Sequence, residues 1–428
     1  MKILFLLLGM GVSIAGWSET MACAGAKSFN VHDVRAYGAK GDGVAKDTVA
    51  IQRAIDAAER AGGGEVFLGA GVYLSGSIFL KDNVDFHLGP GAVLKGSPDP
   101  SDYAPYDIWP WNWMSVAEKS SGCHLVWALE KRHVTVRGPG KIDGNALHFS
   151  LDRNGKPYPR QANIPWRPGQ MLYFAACEDL RITDLELADA PYWNCFMIGC
   201  TGVAVRGLYI HSLRGDKYSH NGDGLDIDCC QHVTVSDCRI NTSDDCIAIR
   251  ADGKHAKNPQ DCAYITVMNC TLSTDKCAIR MGVGGGFIHD VAFNNIVVSD
   301  TRTAVSFCPN WTKEGGSVGF RNCRFANFAV DCKTFCRMLA RWAKDIEIAD
   351  IVFDGFSGRV TEPAYVFTQP DCPVKNVIFR NIQLPMGVET YHTDGVKIEG
   401  GTLKRIESSP ERLEELRRMS ETRNYPHT

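Results

Sequence analysis

From Leu180 onward the chain repeats one short pattern, apolar-x-apolar-x-(Asn/Asp/Gly)-apolar-x-apolar. It reads LRITDLEL from Leu180, VAVRGLYI from Val203, VTVSDCRI from Val233 and ITVMNCTL from Ile265. It continues as VAFNNIVV from Val291, VGFRNCRF from Val318, IEIADIVF from Ile346 and VIFRNIQL from Val377, at spacings of 23, 30, 32, 26, 27, 28 and 31 residues. A recurrence of this length marks a repeat architecture. The alternation makes strands with one buried face. The fifth position is Asp184, Gly207, Asp237, Asn269, Asn295, Asn322, Asp350 or Asn381. These types tolerate the left-handed conformation, so the strand turns a corner there. A coil of three short strands needs this many residues, and successive coils stack about 4.8 Å apart. The expected fold is therefore all-β, a parallel β-helix in which each coil buries its face against its neighbours. A β-propeller, with blades of about 40–50 residues, does not fit units this short.

The ends of such a coil stack need covering. Asp47 to Ala61 reads as an amphipathic helix with apolar positions 49, 51, 54, 55 and 58. Asp47 or Thr48 is its expected N-cap, and Gly62-Gly63-Gly64 stops it. It is placed as a cap on the first coil. Ser409-Pro410-Glu411 starts a charged helix to about Met419, expected on the outside. No linker interrupts the rest, so residues 27–428 read as one domain.

The first 26 residues read as an export signal. Lys2 precedes an apolar run from Ile3 to Ala15, too short to span a membrane. Ala22, Ala24 and Ala26 offer A-x-A cleavage sites. Lipidation of Cys23 is the weaker alternative, because Thr20-Met21-Ala22 makes a poor lipobox. No later stretch is apolar for 18 residues, so the expected product is secreted or periplasmic, without a membrane span, and a monomer.

Composition excludes two further classes. With 44% hydrophobic and 22% charged residues the chain can build a large core, which excludes general disorder. Lys and Arg number 46 against 49 Asp and Glu, so a nucleic-acid partner is not expected. The 17 cysteines could oxidise in an exported chain. Their placement favours small buried side chains instead, with Cys238, Cys270 and Cys323 at one point of the repeat. No zinc-spaced CxxC pair occurs, and no metal or other cofactor is expected.

Two segments depart from the repeat: HNGDGLDID from His220 and TSDDCIAI from Thr242. Asp223 and Asp245 lie 22 residues apart, about one coil. In a regular coil Asp223 then sits beneath Asp245, with Asp244 beside them. Crowded carboxylates repel and raise one another's pKa. Glycosidases use such a gathering, with one protonated acid and one ionised base. An Asp-rich turn or a calcium site remains open on spacing alone.

The N-terminal stretch FNVHDVRAYGAKGDGVAKDTVAIQRAIDAA, then GGGEVFLGAGVYLSGSIFL and GAVLKGS, resembles the polygalacturonase-like glycoside hydrolases of family 28. NGDGLDID and SDDCIAIR are similar to that family's N-x-D and D-D motifs. The resemblance covers nearly the whole mature chain. It implies a right-handed parallel β-helix and inverting hydrolysis of a pectic or related uronic-acid-containing polysaccharide. It also implies Asp244 as general acid, Asp223 and Asp245 as the pair that positions and deprotonates water, and Asn221 at the substrate. An inverting pair needs carboxyls about 6.5–9.5 Å apart.

Two family motifs are missing. Cys277 stands where the family has the His of Gly-His-Gly. Ser306 and Cys308 stand where it has the Arg-x-Lys that grips galacturonate. Arg280 falls in the column of the missing Arg, one coil earlier, and Lys276 and Arg250 lie near the acids. These cations either contact the sugar or pair with Asp226, Asp228 or Asp275. Aromatic faces bury the apolar side of sugars, and Trp109, Trp111 and Trp113 offer a subsite, Trp111 at its centre. Trp166, Tyr192-Trp193 and Trp311 are further candidates. The alternatives are a glycosidase retargeted to a neutral sugar and a non-catalytic carbohydrate-binding β-helix. A polysaccharide lyase would use basic residues to stabilise a carbanion, and the paired acids argue against it.

Overall fold

The computed structural model describes residues 30–104, 121–159, 163–215, 220–252, 260–310, 316–340, 343, 345–370, 372–391 and 393–421. The leader with Cys23, and Trp109, Trp111, Trp113 and Trp311, lie outside the described residues.

Each turn of the chain contributes three strands, one per side of the coil, because alternating apolar residues leave one face of each to bury. Cys195–Ile198 pairs in parallel with Leu225–Asp228, Thr201–Arg206 with Gln231–Ser236, and Tyr209–His211 with Arg239–Thr242. Further on, Cys262–Gly284, Phe287–Cys308 and Gly319–Leu339 run round all three sides as single long strands, with register shifts near Thr274 and between Val298 and Thr301. The result is a right-handed parallel β-helix, as expected. Its interior is a column of side chains repeated coil by coil. Phe293, Phe325, Phe353 and Phe379 stack ring on ring, with centroids 5.3, 5.0 and 5.0 Å apart.

All eight fifth-position residues have positive φ, from 52° at Asn322 to 66° at Gly207. Two of the eight units are nevertheless out of frame. Ile296 faces Phe328, so the residue beneath Asn295 is Asn327, followed by Gly355 and then Asn381. Asn322 and Asp350 lie five residues earlier, beneath Asp290 at the preceding corner. Both ends of this side take left-handed Asn or Asp, so the pattern can be matched to either. Cys323 shifts with them: it faces Val291, whereas Cys270, beneath Cys238, faces Ile296.

The sixteen described cysteines are buried, with no disulfide among them. Cys177, Cys200, Cys230 and Cys262 form one interior column, a cysteine per coil, with Cys200 N donating to Cys230 Sγ at 3.3 Å.

The N-terminal helix spans Thr48–Arg60 and buries Ala50, Ile51, Ala54, Ile55 and Ala58 in the main core. Val49, expected on that face, is 61% exposed. Asp47 makes no side-chain cap; its buried carboxylate instead accepts from the backbone N–H groups of Lys40 (2.7 Å) and Gly41 (3.0 Å). The C-terminal helix Pro410–Glu421 packs on the outside, burying Leu416 in a cluster with Leu339, Tyr365 and Phe367.

Candidate active site

The site grows out of the strand register. Leu225 faces Ile247, which faces Ile279. Two positions upstream of each stand Asp223, Asp245 and Cys277, so Asp223 and Asp245 share a column one coil apart, as the spacing predicted. The coils approach closely here. A Cβ on Gly224 would lie 2.3 Å from the carbonyl oxygen of Cys246, so only glycine fits after Asp223. Asp244 sits beside the column, and one carboxylate oxygen from each of the three acids lies within 4.8 Å of the others.

Each acid is held by its own contacts. The backbone carbonyl of Asp223 accepts from Asn194 N (2.9 Å) and Nδ2 (2.8 Å). Asp244 Oδ1 accepts from Asp245 N at 3.0 Å, and its carbonyl accepts from the hydroxyls of Thr242 and Thr274. Asp245 Oδ1 accepts from Cys277 N at 3.2 Å, and Oδ2 from Arg280 Nε. Asp223 and Asp245 are 7% and 3% exposed; Asp244 is the most open of the three. Three carboxylates are also hard-cation donors, but Arg280 already supplies positive charge to one of them.

The cations divide. Arg280 binds Asp245 rather than Asp226, Asp228 or Asp275. Arg250 pairs with the buried acids of the scaffold: it is 6% exposed, its Nε donates to Asp228 Oδ2 at 3.1 Å, and Nη1 is 3.8 Å from Asp226. Burial pushes the Asp226 carboxyl well up, against the pull of Arg250. Neither Asp226 oxygen has a hydrogen-bond partner among the described residues. Asp275 is engaged by Arg214 at 2.7 Å. Lys276 is part-exposed at the corner below Asp244, with its backbone N donating to Thr274 Oγ1 at 3.1 Å.

Cys277, in the place of the family's His, is a buried thiol pushed up to about 11 by burial and then by Asp245. It therefore stays protonated near neutrality. Arg280, Ser306 and Arg337 share one column over three coils. Arg337 Nε and Nη2 each lie 3.3 Å from Ser306 Oγ, and Nη2 lies 3.9 Å from Cys277 Sγ. Sequence reasoning stopped at Ser306 and missed Arg337, which reading the column one coil further would have found.

Asn221 adopts φ 58°, and its side-chain oxygen accepts from Arg167 Nη2 at 2.9 Å. Arg167 is fully buried, donates to the carbonyls of Pro191 (3.0 Å) and His220 (2.6 Å), and lies 4.7 Å from the Tyr192 ring. It positions the loop that carries Asn221 and Asp223, and no local pattern announced it. Trp193 is 3% exposed under Arg250, and Trp166 packs on Tyr103 and Phe149. Both are packing residues rather than open sugar platforms.

Known proteins share this fold. Among solved structures, the family 28 exopolygalacturonase of Yersinia enterocolitica superposes with a TM-score of 0.66 at 20% identity, covering 89% of this chain and 78% of its own. The endo-xylogalacturonan hydrolase of Aspergillus tubingensis gives 0.67 at 17% identity, covering 88% and 100%. By sequence, a probable polygalacturonase of Vitis vinifera is 26% identical over 283 residues, 63% of this chain and 55% of that protein. The exo-poly-alpha-D-galacturonosidase of Dickeya chrysanthemi is 24% identical over 345 residues, 70% and 56%. The chain thus spans about half the length of these two relatives. Residues 29–98 match the rhamnogalacturonase A/epimerase, pectate lyase-like profile. Residues 114–402, which include all three clustered acids, match the profile of glycosyl hydrolases family 28, and the chain belongs to that family.

Proposed function

We propose that the chain is an exported hydrolase of a pectic, uronic-acid-containing polysaccharide. Asp244 protonates the leaving glycosidic oxygen, and Asp223 and Asp245 position and deprotonate the attacking water. The observation that carries this reading is the acid cluster itself: three carboxylates within 4.8 Å, one of them bound to Arg280. Arg280 Nε binds Asp245 Oδ2 and so holds that carboxylate in place beside Asp244. Asp244, the most open of the three, is suited to reach a bound substrate. The names of the relatives, polygalacturonases and xylogalacturonan hydrolases, support a galacturonate backbone.

Removing the acid tests the assignment. Asp244→Asn should lower reducing-end release from pectic substrates by about 10²–10⁴-fold, with unchanged thermal unfolding. Retention of more than about a tenth of the activity is incompatible with the role. The stereochemistry is a separate measurement. Inversion is what the family resemblance implies. Proton NMR of the first product decides: an inverted anomer supports the water mechanism, and a retained one supports a covalent intermediate.

A further inference from the structure

The corner that follows strand Leu225–Asp228 carries a row of left-handed residues, one per coil. The register stacks Asp179, Gly202, His232, Tyr264, Asp290 and Asn322 in that order. Their φ angles run from 52° to 71°. Gly, Asn and Asp suit this conformation and His is tolerated, but a bulky Tyr is an outlier there. Burial does not account for Tyr264, which is 49% exposed. Strain of this kind points to a use for the side chain.

The rings form a supported platform. His232 and Tyr264 stack with centroids 4.9 Å apart and planes 11° from parallel. The His289 ring meets Tyr264 edge-on at 5.7 Å. His289 is itself held between two carboxylates, Asp290 at 2.7 Å from Nδ1 and Asp261 at 3.5 Å from Nε2. Because Tyr264 packs on one face of the exposed His232 ring, the other face turns to the coil above. There the row has Gly202, which puts no side chain over it. One coil further stands Asp179, with one oxygen 2.9 Å from His133 Nδ1 and the other accepting from Arg181 Nη2 at 2.9 Å. A carboxylate has about four acceptor positions, so Asp179 keeps spare capacity. Asp179 and His232 are two coil steps apart, about 10 Å. A ring in contact with His232 at about 3.5–4 Å fits between them.

We propose that Gly202, His232 and Tyr264 form a second carbohydrate site, in which one pyranosyl unit of a polysaccharide lays its apolar face on His232 and offers hydroxyls to Asp179. Aromatic faces bury the apolar side of sugars, and Tyr264 backs the ring that does so. Membership of a glycoside hydrolase family supplies the ligand class, a polymer of such units. Asp223 precedes strand Leu225–Asp228 and His232 follows it, so this site and the acid cluster lie at opposite ends of one strand. It anchors the polymer and takes no part in bond cleavage, so its test does not depend on the hydrolase reading.

The test is native-gel retardation of the full chain by soluble methyl-esterified pectin, whose pyranosyl units carry hydroxyls and few charges. Asp244→Asn is included in every sample so that the polymer stays uncut. Gly202→Asn fills the notch with a residue type that the row already has at Asn322. A Cβ at Gly202 meets Asp179 N at an ordinary 3.6 Å, so the fold is kept. The change should weaken retardation about 3–10-fold, the worth of one ring contact. Tyr264→Asn should weaken it similarly and raise the melting temperature, because Asn takes the left-handed conformation more readily than Tyr. With Asp244 intact, both changes should leave kcat on a short oligogalacturonide unchanged. Failure of pectin to retard the parent chain, or retardation that neither change weakens, overturns the site. A lower melting temperature for Tyr264→Asn would make the ring a scaffold element, and a matching fall in kcat would place it in the catalytic site; either overturns the proposal. Retardation weakened by both changes, in a chain that cuts no substrate with Asp244 intact, upholds the site and overturns the hydrolase reading.

Discussion

Arg280 shows how a side chain can fall in the expected column and serve a different partner. Its column suggested a grip on the substrate carboxylate, but in the folded chain its Nε reaches back one coil to Asp245. Removing one partner of a buried ion pair leaves the other charge uncompensated, a loss of about 3–5 kcal/mol. Arg280→Ala should therefore lower kcat/KM on free-acid and carboxyl-reduced substrates alike. A loss confined to the free acid would return Arg280 to the substrate. Asp226 gives a second residue-level expectation. Burial raises its carboxyl far above the ordinary range, so the native state binds a proton that the unfolded chain releases. Native stability thus falls as pH rises above the ordinary carboxylate pKa of about 3.9. Asp226→Asn removes this dependence. Its melting temperature should match the natural chain at low pH and exceed it increasingly toward pH 7; a constant difference across that range would mean that Asp226 is ionised in the fold. The acidic motif was legible in the sequence because its spacing matched a coil. The partners of each charge were not, since they come from neighbouring coils 22 to 35 residues away.

At the scale of the element, the strand alternation and the left-handed corner residues defined the sides of the coil. The frame was less certain, because both corners accept the same residue types. Asn322 and Asp350 satisfied the pattern at the wrong corner, and only pairing with the preceding coil distinguishes Asn327 and Gly355 as the true counterparts. The helix at Thr48 was legible for the same reason as the strands, a periodic apolar face, although its cap was not. Asp47 gives its oxygens to a loop, which no local rule anticipates. The phenylalanine stack carries the element-scale prediction. Phe353 lies between Phe325 and Phe379 and is fully buried. Phe353→Ala should cost about 3–5 kcal/mol, read as a lower denaturation midpoint. Phe353→Leu, which keeps most of the volume, should recover a large part of it. Equal effects of the two would show that the stack contributes through ring geometry rather than filled space.

The whole molecule is held by coil-to-coil contacts, so its stability approximates a sum of nearest-neighbour terms along one axis. Disulfides are a common support for exported proteins, and 17 cysteines in the sequence left that option open. The fold uses the described ones differently. Thirteen of the sixteen lie in the main core as small apolar side chains, and the column Cys177, Cys200, Cys230 and Cys262 fills one line of the interior. Burial raises the Cys336 and Cys372 thiols, Cys372 to about 11, so they resist ionisation and with it oxidation. Reductant should therefore leave the melting temperature unchanged. Losing even one native disulfide would cost about 2–5 kcal/mol and lower it visibly. A thiol reagent should label the native protein slowly or not at all, and label the unfolded protein to the extent of the sixteen described cysteines or more. A clear drop in melting temperature on reduction, or a markedly lower thiol count after unfolding without reductant, would show that the interior columns are cross-linked rather than packed.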